Sequence, residues 1–173
     1  MRMAEVIRYD RTMKPRVYLE TTIPSYLTAW PSRDLLQAAN QQVTRQWWEQ
    51  RDQFDLFISQ LVIDECQAGD PQAAADRLAV LADITVLDET LAATHLAKAL
   101  SREVPLPTRA ANDALHVAIA TVQGLDYFLT WNCRHIANLV FRPRIEAVCQ
   151  TFGYLAPAIG TPQELLKQEP FHD

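Results

Sequence analysis

Short apolar runs alternate along this chain with longer stretches in which apolar residues return every three or four positions. "RVYLE" (16–20) is β-branched and aromatic, and it reads as a buried strand closed by a turn at Pro24. Over 34–52, Leu35, Leu36, Ala39, Val43 and Trp47 fall on one helical stripe, while Trp48 points off it and is free to meet a partner. "FDLFIS" (54–59) is a second strand. A helix over 60–69 follows, with Ser59 as N-cap and Gly69 at its end, then another over 70–83 opened by Asp70-Pro71. "ITVLD" (84–88) is a third strand. The helix over 89–103 is broken by two prolines at 104–107. A long helix (108–124) stops at Gly124 and leads to a fourth strand, "DYFLT" (126–130). A helix over 143–153 and a short strand with a closing helix over 155–166 complete the pattern.

Strands that alternate with helices in this way predict an α/β sandwich with a mainly parallel sheet. The four glycines, Gly69, Gly124, Gly153 and Gly160, form neither GxGxxG nor GxxxxGK[ST], so dinucleotide and P-loop readings lose their main support.

The 173 residues suit one domain. Its expected bounds are 15–167, with tails at 1–14 and 168–173. Met13 is a second candidate start, which would make residues 1–12 dispensable. No apolar run is long enough to span a membrane, and the opening residues lack the apolar centre of a signal peptide. Three cysteines without a CxxC pair point to a reducing cytoplasm. A net charge of −5 argues against a broad nucleic-acid coat but leaves room for a local basic groove.

In a parallel sheet, ligands bind beyond the carboxyl ends of the strands. That rule selects Glu20 at the end of the first strand, Glu65 in the helix after the second, Asp113 in the long helix, and Asn132 after the fourth. Asp113 precedes "ALHVAIATV", which is apolar on nearly every side, so its charge must be capped, paired or metal-bound. Asp64 and Glu65 lie about 100° apart on a helix, so only one can face inward.

The stretches "VYLETTIPSYL", "ISQLVIDECQAGDP", "ANDALHVAIATVQGLDYFLTWNCRHIAN" and "IGTPQELL" together resemble a PIN-domain protein. They are similar to the VapC-like toxins of bacterial type II toxin–antitoxin pairs, over about residues 15–166. The resemblance implies a three-layer α/β/α sandwich around a central, mainly parallel five-stranded sheet. It implies acids that bind Mg²⁺ or Mn²⁺ and hydrolyse RNA, a cognate antitoxin, and a homodimer. The family's four acidic positions fall here on Glu20, Glu65, Asp113 and Asn132, with Glu20, Glu65 and Asp113 as the expected metal ligands.

Two positions depart from the family pattern. Glu20 stands where aspartate is usual, and the extra methylene is expected to push its carboxylate outward. Asn132 replaces a carboxylate in Thr130-Trp131-Asn132; its amide oxygen can ligate a hard cation or hold a water but supplies no charge. Thr21, Thr22 and Thr130 are candidate donors to a carboxylate or to substrate. His116, one turn after Asp113, is either a base or a buried histidine bonded to a neighbour. His135 meets substrate or caps a helix. Arg109, Arg134, Arg142 and Arg144 could line a phosphate-binding rim, or form a solvated face. The competing readings are a PIN fold with a weakened site that binds RNA or a partner, and a haloacid-dehalogenase-like phosphatase. Against the phosphatase, Thr22 stands where a second aspartate is required.

Overall fold

A computed structural model of the chain describes residues 13–104 and 111–166. Five strands, β1 (Arg16–Leu19), β2 (Asp55–Ser59), β3 (Thr85–Leu87), β4 (Tyr127–Leu129) and β5 (Ala158–Gly160), form one sheet in the order β3-β2-β1-β4-β5. Every pairing is parallel. Eight α-helices are seen among the described residues: α1 (Thr22–Thr28), α2 (Leu35–Glu49), α3 (Gln60–Cys66), α4 (Pro71–Leu81), α5 (Leu91–Glu103), α6 (Ala111–Val122), α7 (Arg142–Thr151) and α8 (Pro162–Leu165). Helices α1, α2, α4 and α8 pack with one another, and α5 packs on α6 and α7. The result is a three-layer α/β/α sandwich, as expected.

The sheet order dictates where a ligand can sit. The chain builds β1, β2 and β3 outward in one direction, then returns to place β4 on the other side of β1. The β1–β4 seam is therefore the topological switch point, and its crevice opens at the carboxyl ends of the strands. Val17, Tyr18, Leu19, Phe128 and Leu129 are buried along this seam. The ladder runs on beyond the strands, with Glu20 N–H donating to Leu129 O at 3.0 Å and Thr130 N–H to Gly160 O at 3.0 Å. Glu20 and Thr130 are thus fixed side by side at the mouth of the crevice.

Two local expectations are corrected. The turn at Pro24 is the first turn of α1, where a proline lacks only an N–H that would have no helical partner. The buried stripe of α2 is only partly the apolar one: Trp47 is fully buried as expected, but Leu35 and Leu36 are 87% and 72% exposed, while Gln41 and Thr44 are buried. Specific bonds account for this. Gln41 accepts from Ser32 N–H and donates to Trp30 O, and Thr44 accepts from Trp131 Nε1. Trp48 is half-buried, with the Arg51 guanidinium 5.1 Å from its ring centre. Several other helix ends follow the predicted signals, but α3 does not: Ser59 stands at its N-cap without a side-chain capping bond. Asp70 caps Ala73 N–H at 2.9 Å, and Gly124 and Gly153 take positive φ just past α6 and α7. The helix after β2 stops at Cys66, short of Gly69. Asp126 lies at the opposite end of β4 from Thr130, where it accepts from Arg16 N–H at 2.7 Å.

Candidate functional site

Glu20 leaves β1 at the switch point and is only 5% exposed, so its carboxylate does not extend outward as the longer side chain suggested. Three bonds draw it in. Oε2 accepts from Thr22 Oγ1 at 2.5 Å, Thr22 N–H at 3.1 Å and Thr130 Oγ1 at 2.7 Å. Each hydroxyl in turn accepts a backbone N–H: Trp131 gives to Thr22 and Asn132 to Thr130, both at 2.8 Å. The two threonines therefore have both roles filled, and among the described residues Oε1 of Glu20 receives no hydrogen bond. Burial lifts the Glu20 carboxyl above the ordinary glutamate value, against the lowering pull of His116 and the Thr22 and Thr130 bonds.

Glu65 is the inward member of its pair; Asp64 is exposed and accepts from Gln60. Its Oε1 accepts from Asn112 Nδ2 at 2.8 Å, and Oε2 is bonded by Thr21 Oγ1 and by His116 Nε2 at 3.1 Å. Burial raises this carboxyl, but the bonds from His116, Thr21 and Asn112 outweigh it and hold it at about 2. Asn112 and His116 are four residues apart on α6, on one face, and they grip the two oxygens separately.

Asp113, one residue on, is turned by 100° toward the loop after β4. Its Oδ2 accepts from Asn132 Nδ2 at 3.0 Å and is bonded by His135 Nδ1 at 3.2 Å, while Asn132 Oδ1 accepts from His135 N–H at 3.2 Å. A carboxylate only accepts, so the Asn132 nitrogen must face Asp113. Burial raises the Asp113 carboxyl, opposed by His135, Asn132 and His116.

The crevice thus joins nine of the expected residues: Glu20, Glu65, Asp113, Asn132, Thr21, Thr22, Thr130, His116 and His135. It splits them into two clusters. One donor atom each from Glu20, Glu65 and His116 lies within 4.8 Å of the other two. Asp113 stands beside that group with Asn132 and His135. Of the arginines, Arg134 and Arg144 are exposed, Arg109 lies outside the described residues, and Arg142 is drawn to Glu164 at 3.6 Å and to Ala137 O. Asn112 was not among the expected residues, although its spacing from His116 marked it. Tyr18 also was not: its buried hydroxyl lies 2.7 Å from Ser59 Oγ and 2.8 Å from His116 Nδ1.

The donor set suits a hard divalent cation. Carboxylate oxygens dominate it, Glu20 Oε1 is left for a further partner, and the buried Glu20 charge gains from a counter-ion. Among the described residues no helix is long and apolar enough to cross a membrane.

No protein-family model matches the chain, and no curated protein matches it. Among solved structures it is similar to the crystal structure of VapBC2 from Rickettsia felis bound to a DNA fragment from their promoter. The TM-score is 0.50 at 14% identity, over 84% of this chain and 98% of that one. That likeness concerns the fold, which is PIN-like.

Proposed function

We propose that the chain is a divalent-metal-dependent ribonuclease that hydrolyses RNA phosphodiester bonds. The observation that supports this reading is the meeting of Glu20 and Glu65 with His116, one donor atom of each within 4.8 Å of the others, with Asp113 one turn from His116 on the same helix, at the switch point of a PIN-like fold. Glu20, Glu65 and Asp113 would hold Mg²⁺ or Mn²⁺, which when bound neutralises phosphate charge and lowers the pKa of water. The chain's own residues do the positioning. Thr22 and Thr130 hold Glu20; Thr21, Asn112 and His116 hold Glu65; Asn132 and His135 hold Asp113. Each acid is thereby fixed before substrate arrives, so little rearrangement is needed when the phosphodiester enters. Arg134 and Arg144, exposed and without an acid partner among the described residues, supply phosphate contacts, with Arg109 as a further candidate.

The resemblance to VapC-like toxins supports a role as the toxin of a toxin–antitoxin pair, with a cognate antitoxin and a homodimer as partners. Three free thiols agree with a cytoplasmic setting. The test is cleavage of single-stranded RNA by the purified protein in Mn²⁺. We expect loss of cleavage in excess chelator and in Asp113→Ala; cleavage that survives both overturns the reading.

One observation favours a second reading, a PIN-fold RNA- or partner-binding protein with a weakened site. Asn132 supplies a donor to Asp113 where the family pattern has a charge. RNA binding without cleavage in either Mg²⁺ or Mn²⁺ would select it.

A further inference from the structure

Tyr18 is fully buried in the centre of β1, stacked on Phe128 with ring centres 5.1 Å apart, and packing alone would be served by phenylalanine. Its hydroxyl instead begins a line of bonds that ends on a proposed metal ligand. Ser59 Oγ lies 2.7 Å from Tyr18 Oη, Tyr18 Oη lies 2.8 Å from His116 Nδ1, and His116 Nε2 lies 3.1 Å from Glu65 Oε2. Ser59 stands at the N-cap of α3 yet makes no capping bond with its side chain.

The bonds restrict the ring. A neutral imidazole with its proton on Nδ1 would set the bare Nε2 lone pair against a carboxylate oxygen, which repels it. With the proton on Nε2, that nitrogen donates to Glu65, Nδ1 accepts from Tyr18, and Tyr18 accepts from Ser59. In the imidazolium both nitrogens donate, and the Tyr18 hydroxyl donates a hydrogen bond to Ser59. Both permitted forms keep a proton on Nε2, and in both the Tyr18 hydroxyl satisfies Nδ1 and resists a ring flip. Resting on the metal-site reading above, we infer that Tyr18 is a positioning residue: with Ser59 behind it, it locks the His116 ring so that Nε2–H holds Glu65 in place for the cation. His116 on this account serves the site through Glu65 and is not itself a ligand.

Nitrogen-15 NMR of the metal-free full chain decides the first half. We expect a His116 Nε2-bound proton protected from exchange in the wild type and exchanging at least tenfold faster in Tyr18→Phe; a bare Nε2 overturns the inference. Mn²⁺ titration by calorimetry decides the second. Outer partners of a metal site carry roughly 10–100-fold in affinity, so Tyr18→Phe should weaken Mn²⁺ binding by about tenfold or more. Ile119→Val, chosen in the α6 core as a control for lost stability, should stay within about twofold. Equal losses in the two variants overturn the positioning role, as does electron-spin-echo evidence of a nitrogen directly bonded to Mn²⁺. Should Tyr18→Phe fail to fold, Ser59→Ala replaces it with the same expectations. Absence of Mn²⁺ binding by the wild type defeats the metal-site reading and with it the positioning role, whereas the NMR arm still reports separately on the ring.

Discussion

Thr130 donates to Glu20 Oε2 at 2.7 Å across 110 positions of sequence, from the end of one central strand to the end of its neighbour. The same hydroxyl accepts from Asn132 N–H. One oxygen thereby couples the acid of β1 to the loop that carries Asn132 and His135.

Thr130→Val keeps the shape and removes both bonds. Glu20 Oε2 keeps its two Thr22 bonds, but it loses one donor and the Asn132 N–H is left without its acceptor, at a cost of about 1–3 kcal/mol, so urea unfolding should show a loss in that range. Thr130→Ser should restore most of it.

Glu20 gives a pH signature. Its folded-state value is raised by burial, so the stability it contributes is fully present below the ordinary glutamate range and is lost as pH rises through the folded value. In chelator, Glu20→Gln should therefore gain on the wild type as pH rises above about 4.5. Mn²⁺ at a hundredfold its Kd should add about 2.7 kcal/mol to the wild type and nothing to the variant. Unfolding curves with and without metal check both outcomes.

Glu65 has the opposite sign. Held at about 2, it contributes stability above the ordinary glutamate value of 4.5 that disappears as pH falls through about 2. The stability gap between wild type and Glu65→Gln should stay level from roughly pH 6 upward and close in acid; a gap that widens in acid contradicts the hydrogen-bond assignment.

Arg134→Ala and Arg144→Ala should each lower RNA affinity and flatten its salt dependence by about 0.7 in the log–log slope, if each meets one phosphate. Arg142→Ala should change that slope less, because part of its guanidinium faces Glu164 and Ala137 O. Binding titrations at several salt concentrations separate the two classes.

What the sequence revealed follows from what periodicity and strand ends encode. Glu20, Glu65 and Asp113 were legible because each is a charge beside a buried run, and a parallel sheet collects strand ends on one edge. The buried face of α2 is legible at Trp47 but not at Gln41 and Thr44, which are buried through bonds to Trp30, Ser32 and Trp131 that no helical period registers. Helix α1 escaped because it is only seven residues long with a proline in its first turn. The inward fold of Glu20 depended on Thr22 and Thr130 lying on two strands that only the sheet order makes neighbours.

That sheet order also bears on biosynthesis. The seam between β1 and β4 closes only after more than a hundred residues of chain separate its two halves. Glu20 leaves the ribosome 110 residues ahead of its partner Thr130, so no nascent fragment that stops short of Thr130 and Asn132 can carry a complete crevice. A chain that cuts RNA would thus be harmless to the message that encodes it until Thr130 and Asn132 had been made.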